Sequence, residues 1–176
     1  MINAQLEFRD NMARLLLRDL AAVRREIEHY PDDEAPWRAV PGLTNPGGTL
    51  VLHLAGNLQH FVGAILGDTG YVRNRDGEFI KRAVPRAELV RELDRAVDSV
   101  TKTLSSLHPS KLEGLYPLEV GGVRIPTDMW LAHLATHLSY HLGQLDYHRR
   151  AVTADATTVG TMSIPALLAP FPPVAS

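Results

Sequence analysis

Four stretches of this 176-residue chain repeat their apolar residues every three or four positions, a period that fits helices packed against one another and little else. The first runs from about Ala4 to Glu28. It places Phe8, Met12, Leu16, Leu20, Val23 and Ile27 inward, and Arg14, Arg18, Asp19, Arg24 and Arg25 on a solvated face. The second spans about Gly48 to Leu66 on Leu50, Leu54, Leu58, Phe61 and Ile65, and Gly67-Asp68-Thr69-Gly70 ends it. The third starts near Pro85, a residue suited to the first helical position, carries Leu89, Leu93, Ala96, Val97, Val100, Leu104 and Leu107, and stops at His108-Pro109. The fourth runs from Thr127, read as an N-cap, to about Val152, with Trp130, Leu134, Leu138 and Leu145 inward. The expectation is an all-α four-helix bundle over residues 1–152, with any ligand site between facing helices.

The connections differ in character. Tyr30 to Gly48 is a long, proline-rich loop, a length that hints at a functional role. A polar loop is expected from Gly70 through Lys81. Leu115 to Ile125 sets Tyr116, Leu118, Val120, Val123 and Ile125 around Gly121-Gly122 and reads as a short β-hairpin before the last bundle helix. The tail, residues 153–176, carries one charge, Asp155, and the apolar Ile164, Leu167, Leu168 and Phe171. It is too apolar for a solvated tail and is expected to pack on the bundle or a partner subunit.

Composition removes several classes of function. Apolar residues make up 45% and charged residues 22% of the chain, within the ordinary globular range. The net charge of -2, without a basic stripe, argues against a nucleic-acid surface. The start lacks the basic-then-apolar order of a secretory signal, and no segment approaches about 18 uninterrupted apolar residues, so a cytoplasmic protein without membrane contact is expected. There are no cysteines, which excludes disulfides, thiolate metal sites and a cysteine nucleophile. Histidine, present eight times, is the remaining residue type able to dominate a transition-metal site.

The densest chemistry is His133-Leu-Ala-Thr-His137-Leu-Ser-Tyr-His141-Leu-Gly-Gln144. Residues four apart on a helix lie about 40° apart around it and roughly 6 Å along it, so two imidazoles at that spacing can share one ion. His133 and His141 are separated by about 12 Å of rise, which prevents all three from sharing one easily. Judged from the Trp130, Leu134, Leu138 and Leu145 stripe, His137 and His141 point inward and His133 lies towards the flank. Buried imidazoles are costly without a partner, so two of them stacked one turn apart ask for a shared one. In the second helix His53, Asn57, His60 and Ala64 share one side, and His53 is a further candidate.

These residues resemble the DinB-like superfamily of bacterial helical bundles, which includes the YfiT-like metal-dependent hydrolases. The resemblance rests on His-x-x-x-His-x-Gly-Gln in the last helix, here His137 to Gln144, and on a single His early in the second helix, here His53. One branch is similar in two further runs, here His53-Leu-Ala-Gly-Asn57 and Arg73-Asn-Arg75-Asp76-Gly-Glu78-Phe79. The resemblance implies a three-His site formed by His53, His137 and His141 that holds one divalent metal, commonly zinc or nickel, often in a homodimer. It also implies two chemistries, since some relatives are hydrolases and others bind and activate a low-molecular-weight thiol.

Three neutral imidazoles on one dication leave a coordination position open, the pattern of a catalytic site. Asn57 and Gln144 are placed to hold a ligand or to orient the histidines. Gly56 and Gly143 are expected to allow close helix packing. The Arg73 to Glu78 run can bind an anion, but reads rather as a solvated turn with ion pairs of little energy. Asp146 projects away from the inner stripe and is a poor general base. Against an enzyme stand two plainer readings: a non-catalytic metal or small-molecule binding protein, and a bundle whose histidines are ordinary core residues.

Overall fold

A computed structural model describes residues 2–168 and contains six helices: α1 (Ile2–Glu28), α2 (Gly47–Gly67), α3 (Arg75–Ile80), α4 (Arg86–Ser106), α5 (Ser110–Glu113) and α6 (Thr127–Thr153). The four long ones match the four periodic stretches. α1 packs against α4 and α6, and α2 packs against the same two, so α1 and α2 sit on opposite corners of the bundle. The long loop after α1 is what lets the chain cross that diagonal. It is partly ordered, with a short 3-10 turn at Ala35–Trp37 preceded by an Asx turn in which Asp32 Oδ1 accepts from the amides of Glu34 and Ala35.

The core joins Leu16, Leu20, Val23 and Ile27 of α1 to Leu50, Leu54 and Leu58 of α2, Leu89, Leu93, Val100 and Leu104 of α4, and Leu131, Leu134, Leu138 and Leu145 of α6. α2 is its centre, and every residue from Gly47 to Leu58 is buried. By length and composition α2 could cross a bilayer, but 72% of its apolar window is buried inside the bundle, which accounts for its hydropathy. From Gln59 to Ala64 the helix widens to π geometry. Side chains beyond Leu58 are thereby turned away from the face an unbroken α-helix would give them.

Several local expectations are corrected. No β-strand is present among the described residues. Val120 and Val123 do exchange backbone hydrogen bonds across Gly121-Gly122, both at positive φ, and a second isolated bridge joins Leu115 to Pro126. The ladder goes no further, since Pro117 and Pro126 have no N–H to give it. Thr127 is not the cap of α6. Pro126 occupies the N-cap position, and the Thr127 hydroxyl donates to the Gly114 carbonyl instead. Likewise Pro85 precedes α4 as its N-cap. Residues 70–81 are not simply a loop, because Asn74 caps α3 by accepting from the Gly77 amide, 2.9 Å away.

The polar side of α1 is not wholly solvated. Arg18 and Asp19 are buried, paired at 2.7 Å, and the Ser139 hydroxyl of α6 donates to Asp19. Arg149 of α6 forms a fully buried ion pair with Glu26 of α1 and also donates to the carbonyls of Asp155 and Thr157. This pair, with Arg25 donating to the Val159 carbonyl, holds the chain after α6 against α1. The expected packing of Phe171 falls outside the described residues.

Removing one member of a buried ion pair strands the other charge, typically at a cost of about 3–5 kcal/mol. Arg149→Met is expected to lower stability by that order, read as the denaturant midpoint. Adding Glu26→Leu should recover most of the loss, because the two apolar side chains can then pack together.

Candidate metal centre

His53 enters from α2, and His137 and His141 from successive turns of α6, so the site spans the one interface where the most buried helix meets the histidine-bearing one. One ring nitrogen from each lies within 4.8 Å of the others. The ring centroids are separated by 5.2, 5.2 and 4.6 Å for the pairs His53–His137, His53–His141 and His137–His141. His53 Nε2 and His137 Nε2 approach to 3.3 Å. Two nitrogens about 2.0–2.1 Å from a tetrahedral zinc are themselves about 3.3–3.4 Å apart. The spacing therefore suits a first-row divalent ion.

The hydrogen bonds indicate which nitrogens are free. His53 Nδ1 lies 3.0 Å from Glu78 Oε2 and donates its proton there, leaving Nε2 as a lone pair. His141 Nδ1 lies 2.7 Å from Gln144 Oε1 and does the same. The Nδ1 of His137 is buried without a partner among the described residues. If His137 carries its proton on Nδ1, two lone pairs face each other at 3.3 Å; if on Nε2, the buried Nδ1 has no donor. A cation between the Nε2 atoms removes the first conflict, although it gives Nδ1 no partner. The donor set thus fits a metal better than it fits an empty cluster.

The Arg73 to Glu78 run is not a solvated turn. Glu78 is buried at 6% exposure, and Arg73 grips it with Nε on Oε1 at 2.7 Å and Nη2 on Oε2 at 2.8 Å. Burial opposes ionisation of Glu78, but the hydrogen bonds from Arg73 and then His53 outweigh it and hold the carboxyl below its ordinary range. Arg73 also lies 5.5 Å from the Phe61 ring, and the Phe79 ring sits 5.0 Å from that of His53. The signal available in the sequence was the Asn74 cap followed by acidic residues in the next turn, which marks a helix start.

The remaining candidates separate clearly. Gln144 is in the site as the acceptor for His141. Beyond it lies a recess of about 130 Å³, lined also by Gly42, Leu43, Thr44, Asn45 and Leu50. Asn57 is buried with Oδ1 unpartnered among the described residues, so it makes no hydrogen bond through that atom to the three histidines. His133 is exposed and stacks on Trp130 with centroids 5.0 Å apart, outside the cluster. His60 lies in the π segment against Phe61 and does not join the cluster either. Gly56 packs against the Glu78 carboxylate rather than a bundle helix, and Gly143 faces open space, so neither serves helix packing as expected. Asp146 is engaged by Arg149 and Arg150.

A four-helix bundle with three histidines converging from two antiparallel helices has the donors to hold a metal ion. The profile of the DinB superfamily matches residues 8–145, and the chain belongs to that superfamily. No curated protein and no solved structure matches it.

His137→Ala is expected to lower zinc or nickel occupancy far more than His133→Ala, measured by elemental analysis. Equal losses would mean that the wrong pair of α6 histidines has been identified. A second expectation concerns pH. Burial first, then the neighbouring His141 and His53, push the His137 imidazolium down to about 4 in the metal-free protein. An unfolded histidine takes its proton near pH 6.5. Between those values the unfolded chain binds more protons, so metal-free stability should fall as pH drops from about 6.5 to about 4. His137→Gln should make that fall shallower in denaturant titrations at pH 7 and pH 5.

Proposed function

We propose that this DinB-superfamily protein is a divalent-metal-dependent enzyme, a hydrolase or a low-molecular-weight thiol S-transferase, with His53, His137 and His141 as the ligands of one zinc or nickel ion. The observation that carries the reading is the donor set: three imidazoles converge, and no fourth His, Asp or Glu joins them among the described residues. A closed structural site would have four protein ligands. An ion held there supplies a Lewis acid with an open position, able to lower the pKa of a bound water or thiol.

The protein's own residues support that chemistry by fixing the rings. Glu78 and Gln144 each hold one imidazole by Nδ1, so both Nε2 lone pairs stay directed at the centre. His137 and His141 are half-buried, which leaves the centre within reach of the surface. Burial keeps His141 neutral at physiological pH against the opposing pull of its Gln144 hydrogen bond, as it keeps His137. On this reading the protein works in the cytoplasm as a homodimer, with residues 1–152 as its metal-binding unit and Asn57 and Gln144 as ligand-holding residues.

A second reading, a non-catalytic metal or small-molecule binding protein, draws on the modest size of the recess beside Gln144. The two are separated by one series of measurements. Purified untagged protein should carry about one zinc or nickel per chain, and both His53→Ala and His141→Ala should lose it. The loaded protein should then hydrolyse a small ester or amide, or transfer a thiol to an electrophile, in a screen with each class. Full loading with neither activity would favour the binding protein. No metal after incubation with zinc and nickel would make the histidines core residues.

A further inference from the structure

The segment after α2 behaves oddly for a piece of a hydrophobic fold. α3 buries one side chain, and it is the charged Glu78. Around it Val72 is 87% exposed and Ile80 75% exposed. Of its apolar side chains only the rings of Tyr71 and Phe79 are partly buried, so a segment that exposes its aliphatic residues and buries its carboxylate is held down in large part by that carboxylate. The carboxylate itself sits against α2, in contact with His53 Nδ1, and reaches that position only because residue 56 has no side chain. A Cβ there would lie 2.3 Å from Glu78 Oε1 and 2.9 Å from its Cδ.

From this we infer that Glu78 is the positioning residue for His53, seated by Arg73 and admitted by Gly56, and that residues 68–81 fold back over α2 in order to deliver it. The inference rests on the three-His metal reading above. A carboxylate on the far nitrogen of a ligating histidine fixes its tautomer and ring orientation and strengthens it as a donor. Glu78 does this from inside the protein, where an unpaired charge would be expensive, and Arg73 offsets that cost with two hydrogen bonds. Arg73 Nη2 also lies 3.3 Å from His53 Nδ1. Glu78 Oε2 lies nearer to Nδ1, at 3.0 Å, and a carboxylate oxygen can only accept, so it places the His53 proton on Nδ1 and takes the Arg73 Nη2 proton at 2.8 Å.

An ion pair that merely braces the fold would need none of this. It would be indifferent to which nitrogen of His53 it met, and a small shift of the carboxylate would not reach the metal. Gly56→Ala therefore separates the two roles. The clash is with the far end of a flexible side chain, so Glu78 can move outward together with Arg73, keeping their ion pair while leaving His53, and alanine favours helix over glycine. The four-helix bundle should stay folded, with any loss confined to residues 68–81, while the carboxylate leaves His53.

The experiment uses the full chain, stripped of metal, as wild type, Gly56→Ala and Glu78→Gln. Zinc affinity is measured by competition with a chromophoric chelator, and the cobalt-substituted forms are compared by visible absorption. Both variants should bind zinc about 10–100-fold more weakly, with a changed cobalt spectrum. Circular dichroism should show Gly56→Ala folded, and that variant carries the test alone if Glu78→Gln does not fold. Wild-type binding of one ion with unchanged affinity and spectrum in the folded variants would overturn the positioning role and leave the metal reading standing. Failure of the wild type to bind zinc or cobalt would overturn both.

Discussion

The arrangement of this protein follows from burying a histidine on its most enclosed helix. Every residue of α2 from Gly47 to Leu58 is withdrawn from solvent, so both nitrogens of His53 must find partners within the protein or in something it binds. The Nδ1 side is served by a carboxylate that α2 cannot supply itself, and the chain after α2 turns back to bring it. The Nε2 side faces α6, whose histidines recur once per turn. Packing α2 directly against α6 is thus what assembles the site, and the long crossing after α1 is what makes those two helices neighbours.

Two buried ion pairs illustrate how position decides role. Arg149 and Glu26 lie wholly inside the bundle, and the surplus hydrogen bonds of Arg149 go to backbone carbonyls beyond α6. Nothing chemically reactive touches that pair, and its work is to join α1, α6 and the following segment. Arg73 and Glu78 are bonded to each other just as closely, but the carboxylate has a third partner in His53. Burial and pairing are common to both. Contact with a ring whose other nitrogen points at two more imidazoles belongs to one.

The four bundle helices were legible because each repeats its apolar residues over at least about four turns, and a stripe of that length has one way to be buried. The α6 histidines were legible for the same reason, since i, i+4 spacing and the Leu134–Leu138 stripe fix their direction without knowledge of any neighbour. Glu78 was not, because its burial depends on a missing side chain at residue 56 and on a guanidinium five residues before it, and a charged run in a polar segment usually stays in water. Arg18 and Asp19 misled for a related reason: the α6 residue that buries Asp19, Ser139, lies 120 positions away. His60 shares a side with His53 only if α2 is regular, and no residue from Gln59 to Ala64 announces the π widening. The hairpin around Gly121-Gly122 reduces to a turn closed by one bridge, since a strand needs a ladder, and the prolines that end this one also stood in the sequence.

On the proposed metal reading, charge balance narrows the chemistry further. The three imidazoles are neutral, and Arg73 cancels Glu78, so the protein leaves the full charge of a dication uncompensated. Such a centre favours an anionic fourth partner. Water and thiol both meet that condition once deprotonated, so the ligand set favours neither hydrolysis nor thiol transfer. Selection between them has to come from the walls of the approach. The recess beside Gln144 is lined by Gly42, Leu43, Thr44, Asn45 and Leu50, without a charged side chain. A thiol carrying carboxylates would find no cation there and would have to reach towards Arg73, whose guanidinium is already committed to Glu78. On the proposed reading a small uncharged substrate meets no such obstacle, and the lining of that recess is a reason to screen hydrolysis before thiol transfer.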